Sequence, residues 1–143
     1  MDQGQRAAFL SASYGTESER FRLAAEPSAA APPWAAGTWA IVTAWNPGGE
    51  QQPEAENVRA GRELLALIGS RPHLIGVNGE GEWAEPSVIL AGFRLHQSAE
   101  LGRTFGQAAV LYGVGRRVAL VWLEADGLRV ERFWVRLLSV LAS

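Results

Sequence analysis

Trp39-Ala40-Ile41-Val42-Thr43-Ala44-Trp45-Asn46-Pro47 decides how this chain is read. From Trp39 to Ala44 both alternating faces are apolar or small, with Trp39, Ile41 and Thr43 on one and Ala40, Val42 and Ala44 on the other. A strand with no polar face must be covered on both sides, so this is expected to be a central strand. The run then breaks into a polar turn with Asn46 at its tip. Strand ends beside a following helix are where α/β folds build ligand sites.

Working outward, Pro53 suits a first helical turn and Glu54 and Glu56 complement its dipole, which predicts a helix running to Ile68 and closed by Gly69. Its inward stripe is Val58, Gly61, Leu64, Leu65 and Ile68, and Asn57 extends that face one turn earlier. His73 to Val77 and Ser87 to Phe93 read as strands, joined by a loop rich in glycine and acid that carries Trp83, and Ser87 falls in phase with Ile89, Ala91 and Phe93 on the face the helices are expected to cover. A second helix spans Ser98 to Gln107. Ala108 to Tyr112 and Arg117 to Leu123 form a hairpin across Gly113-Val114-Gly115, and Leu128 to Leu138 return after the Asp126-Gly127 turn. Alternation changes phase between Val130 and Phe133, predicting a bulge or break.

Upstream, residues 5–13 read as a short helix, Glu19 to Ala24 as an edge strand, and Glu26 to Pro33 as a solvated Pro/Ala-rich connector. Residues 1–33 are thus expected to form an N-terminal arm and residues 34–143 the α+β domain. The succession strand, helix, strand, strand, helix, strand, with further strands behind it, calls for a single layered α+β domain. Its sheet is mixed or antiparallel and its helices lie mainly on one face. A ferredoxin-like arrangement is one solution.

Composition removes several chemistries. With 143 residues, 48% of them hydrophobic, the chain can bury one real core. Its apolar runs are far shorter than the roughly 18 residues of a membrane span, and no apolar signal-peptide core follows Met1, so a cytoplasmic location is expected. There is no cysteine and no lysine; all 13 basic residues are arginine. Thiol nucleophiles, disulfides, cysteine zinc sites, Schiff-base lysines and the P-loop lysine are therefore excluded.

Polar groups recur at element junctions: Asn46, Asn57 at a helix start, Glu85 and Ser87 around Pro86, and Gln107 at a helix end. Each has a structural use, such as an Asx turn at Asn46 or a capping bond at Gln107. Together they suggest one polar pocket walled by Trp45 and Trp83. Amides and a hydroxyl suit recognition of a small polar molecule or a partner's peptide segment. The alternative is an enzyme in which Glu85, its pKa raised by burial beside Trp83, is the general acid or base. His73 and His96 stand alone, so neither a metal nor a cofactor is expected. In the C-terminal hairpin Arg116, Arg117, Arg129, Arg132 and Arg136 interleave with Trp122, Phe133 and Trp134, a pattern suited to single strands. Those five arginines face Glu124, Asp126 and Glu131, and a surplus of two charges argues against strong nucleic-acid binding. A homodimer contact through the aromatics is another use of the hairpin.

The string Thr43-Ala44-Trp45-Asn46-Pro47, then Glu56-Asn57, Gly81-Glu82-Trp83, Glu85-Pro86-Ser87, Leu101-Gly102 and Phe105-Gly106-Gln107-Ala108, resembles the bacterial family called domain of unknown function 3293. The likeness runs from about Trp39 to Tyr112. It implies a small bacterial α/β protein, supports grouping the polar positions, and carries over no activity, substrate or cofactor.

Overall fold

In the computed structural model, which describes residues 2–138, the elements follow as α1 (Gln3–Ser11), β1 (Tyr14–Gly15), β2 (Arg20–Ala24), β3 (Thr38–Val42), α2 (Glu54–Ile68), β4 (His73–Asn78), β5 (Glu85–Ala91), α3 (Leu95–Thr104), β6 (Ala109–Val114), β7 (Arg117–Glu124) and β8 (Gly127–Leu137). Single 3-10 turns sit at Pro47–Gly49 and Gly81–Trp83. β3 is central, hydrogen-bonded to β5 on one side and β6 on the other, and Trp39 to Val42 are buried as a strand covered on both faces must be.

All pairings are antiparallel, and the strand order is β1-β2-β8-β7-β6-β3-β5-β4. Within it, β3-α2-β4-β5-α3-β6 is a split βαβ unit with strand order β6-β3-β5-β4, the ferredoxin-like solution. The other four strands extend this unit past β6. The enlarged sheet curls until its two ends meet and nearly closes a barrel.

At that seam the Gly79 N–H donates to the Ser13 carbonyl at 2.8 Å. The Arg20 guanidinium clasps both sides, donating to the hydroxyl and carbonyl of Ser13 and to the carbonyls of Val77 and Gly79. β1 can lie this close because residue 76 is glycine. A Cβ there would be 3.0 Å from the Gly15 carbonyl oxygen and 2.7 Å from Ser87 Oγ.

Strand alternation divides the apolar residues into two cores. The concave face of the sheet gathers Tyr14, Phe21, Trp39, Ile41, Ile89, Leu111, Leu120, Trp122 and Val135. α1 packs onto it, with the Phe9 ring edge-on to Trp122 at 5.2 Å. The convex face, with Ala40, Val42, Val88, Leu90, Val110 and Val121, packs under Leu64 and Ile68 of α2 and Phe93 and Phe105 beside α3. Helices thus lie mainly on one face, with α1 on the other.

Several local expectations change. β2 lies one place in from the edge, because the two-residue β1 pairs outside it. The connector is mostly exposed, as expected, except that Pro32 is buried where the chain enters the core and Trp34 packs edge-on against Trp39 at 5.4 Å. Val58 and Leu65 belong to an exposed flank of α2, leaving Asn57, Leu64 and Ile68 as its buried positions. The β6–β7 turn is Gly115-Arg116, with Gly113 and Val114 still in the ladder. β8 pairs with β7 without interruption, so there is no bulge. Its phase change has another cause, since Val130 faces the convex side beside Val121 while the concave position next to it holds a carboxylate, Glu131. That carboxylate is satisfied by Arg6 of α1 (2.8 Å) and by the Trp122 indole N–H (2.8 Å). Arg6 and the Trp122 N–H hold the Glu131 pKa below the usual carboxylate range.

Candidate functional site

The loop following β3 is fastened from three directions. Asn46 adopts a left-handed backbone (φ 47°, ψ 65°), a conformation asparagine tolerates better than other side chains. Its N–H donates to Asn57 Oδ1 (2.9 Å), and Asn57 Nδ2 donates back to Asn46 Oδ1 (2.9 Å). Asn57 lies in the first turn of α2 and is 4% exposed, so the inward amide expected from its helix face is present. Beyond α3, which ends at Thr104 rather than at Gln107, Gln107 Nε2 donates to the Trp45 carbonyl (3.1 Å), and the Gly48 N–H donates to the Gly106 carbonyl (2.8 Å). From α1, Gln5 Nε2 donates to the Gly48 carbonyl (3.2 Å).

Glu85, the first residue of β5, joins the same network by accepting from Asn46 Nδ2 at 2.8 Å. Burial raises the pKa of its carboxyl, and the Asn46 amide opposes the shift in part. Two members carried no sequence signal. Gln52 donates its N–H to Asn46 Oδ1 (3.1 Å) and its side-chain amide to Asn57 Oδ1 (2.7 Å), yet it sits in an irregular loop with no periodicity to mark it. Thr43 donates to the Pro86 carbonyl (2.8 Å) and accepts the Trp45 N–H (3.1 Å), a role hidden inside what reads as an apolar strand.

Asn46, Asn57, Glu85, Gln107 and Trp45 are therefore gathered about one loop; the Trp45 indole lies over Gly61 of α2, where an added Cβ would be 3.6 Å from its nitrogen. Ser87 stands apart. It shares the concave face with Ile89, opposite Gly76, rather than the helix-covered face expected for it. Its Oγ, like Asn78 Oδ1, is buried without a hydrogen-bond partner among the described residues. Trp83 projects from the turn before β5 and is 65% exposed.

The amides of the cluster bond chiefly to one another and to the backbone, and two surface depressions elsewhere on the protein are lined by none of the seven side chains. One, about 460 Å³, lies between α1 and the β7–β8 turn beside Gln5, Glu124 and Asp126; the other, about 290 Å³, lies between α2 and α3. Among the described residues no three His, Asp or Glu side chains are grouped to hold a metal, and no helix is long and apolar enough to cross a membrane. Of the hairpin aromatics, Trp122 is in the concave core and Phe133 packs against it, which leaves Trp134 on the outer side.

No curated protein and no solved structure matches the chain. Over residues 42–110, the segment that runs from the last residue of β3 to the second of β6 and contains the whole loop network, the chain resembles the family described as protein of unknown function (DUF3293).

Proposed function

We propose that the protein is a non-catalytic recognition module that takes an extended peptide segment of a partner along β4 and the adjoining flank of α2. The observation that carries this reading is the exposure of large apolar side chains on β4, on α2 and in the turn before β5: Ile75 is 59% exposed, and Leu65, Val58 and Trp83 are exposed as well. α2 starts where β3 ends, which is also the end of β4, so Val58 lies toward Trp83 and Leu65 toward Ile75. β4 is the last strand of the sheet. Val77 and Gly79 turn their backbone groups toward Arg20 and Ser13, and alternate residues of an antiparallel strand point the same way. His73 and Ile75 accordingly direct their N–H and C=O groups beyond the β1–β2 hairpin, where strand addition supplies affinity through main-chain bonds and side-chain contacts supply selectivity.

In this reading Trp83 is a contact residue and Glu85 a polar acceptor at the hairpin end. Asn46, Asn57, Gln107 and Trp45 hold the loop behind them, and Ser87 lies under Gly76 of β4. The test is selection of short peptides from a random library against the wild-type protein. Selected peptides should lose binding to an Ile75→Arg, Leu65→Arg variant whose melting is unchanged; peptides that bind it equally well would sink the proposal. The upward shift of Glu85 favours a second reading, an enzyme using it as general acid, in which Glu85→Gln abolishes any turnover found.

A further inference from the structure

The convex side of β2, β8 and β7 carries charge of one sign. Ladder registers place Arg22 directly opposite Arg136, and Trp134 between Ala24 and Arg117. Arg132 and Arg136 flank Trp134 two residues away on the same strand, about 7 Å along it at roughly 3.4 Å per residue. Trp134 therefore stands at the centre of four arginines, all exposed, and the Arg117 guanidinium lies 4.5 Å from its ring centroid.

The acids of these strands face away. Glu131 and Glu124 alternate to the concave side, where Glu131 is bonded to Arg6 and Trp122. Among the described residues, the carboxylate that pairs with one of these arginines is Glu80, 3.5 Å from Arg22 in an exposed pair. The chain as a whole carries −2, yet alternation sorts its hairpin charges so that this face is distinctly positive. Like charges directly opposed across a ladder are destabilising, so Arg22 and Arg136 gain from an anion between them.

We propose that this face binds single-stranded nucleic acid, with phosphates held by Arg22, Arg132 and Arg136 and a base stacked against the Trp134–Arg117 pair. The site is independent of the β4 edge. Arg129 supplies an internal control: it is exposed and near in sequence, but lies opposite Trp122 and faces the other side.

The experiment is fluorescence anisotropy with labelled single-stranded oligouridylate and oligothymidylate across a salt series. Wild type should bind, with log K falling against log salt at a slope of about −2 to −3, since each phosphate contact on a single strand contributes about 0.7. Arg132→Gln with Arg136→Gln should weaken binding at low salt by roughly tenfold or more and reduce the slope by about 1.4. Arg129→Gln should change neither. No binding at low salt, a slope near zero in wild type, an equal loss in Arg129→Gln, or competition by polyglutamate as effective as by unlabelled oligonucleotide would each overturn the proposal.

Discussion

Replacing Asn57 by Leu removes the hub of the loop network, and its cost can be worked from the hydrogen bonds. Asn57 accepts from the Asn46 N–H and from Gln52 Nε2 and donates to Asn46 Oδ1. These losses are unequal. Gln52 is half-buried and can turn its amide to water, and Asn46 Oδ1 keeps the Gln52 backbone N–H. The Asn46 N–H loses its one partner among the described residues, and a donor orphaned away from water costs roughly 1–3 kcal/mol. Leucine returns roughly 0.5 kcal/mol through better helix propensity. The expected net loss is about 1–2 kcal/mol, read as a lower urea midpoint at unchanged slope. Asn57→Asp keeps the acceptors but sets a carboxylate against Asn46 Oδ1, so its deficit should shrink as pH falls. Stability of Asn57→Leu within about 0.5 kcal/mol of wild type, the range of an inconsequential surface change, would show that Asn57 does not hold the loop.

A pair of glycine substitutions tests the packing. Gly113→Ala puts a Cβ 2.0 Å from Trp39 Cε2 in the concave core and should cost about 3 kcal/mol or more, whereas Gly61→Ala, with its nearest neighbour 3.6 Å away, should gain about 0.5–1 kcal/mol in helix propensity. Thermal melts giving the two variants equal stability would contradict this core. Glu85 should leave a signature in pH. Its folded-state pKa is raised, so its contribution is fully present below the ordinary value of 4.5 and is lost as pH rises through the raised value. Glu85→Gln, permanently neutral and still able to accept from Asn46, should therefore gain in melting temperature at pH 7 and show little gain at pH 4; equal shifts at both pH values would refute the buried assignment.

The parts of the fold that were legible in the sequence rest on short-range signals. Six consecutive residues with no polar face gave β3 its central place, Pro53 and Gly69 bounded α2, and the succession of strands and helices held the ferredoxin-like unit. Asn46, Asn57 and Glu85 were legible as neighbours because each stands where an element begins or ends. What could not be read depends on partners far apart in the chain. Arg20 shows no local sign of a clasp, since its acceptors on the far side of the seam, at Val77 and Gly79, lie 57 and 59 residues away. Val130-Glu131 reads as a break in alternation because the compensating cation, Arg6, lies 125 residues off. Ser87 was placed on the wrong face for a related reason. Both faces of β5 are apolar, so nothing local says which one the helices cover.

The order of the strands also governs when the barrel can close. β2 finds its ladder partners in β1, two residues long, and in β8, whose paired residues begin 110 positions after those of β2. During synthesis the β3-to-β6 unit can assemble its own sheet as it emerges, while Phe21 and Tyr14, made earlier, wait for β8 before they can be covered. Loop-closure entropy makes such distant pairings slow, and apolar strands that wait for a partner are open to wrong ones. The apolar strands β1 and β2 therefore depend on β8, and substitutions in β8 should reduce the yield of folded protein by more than their effect on final stability accounts for.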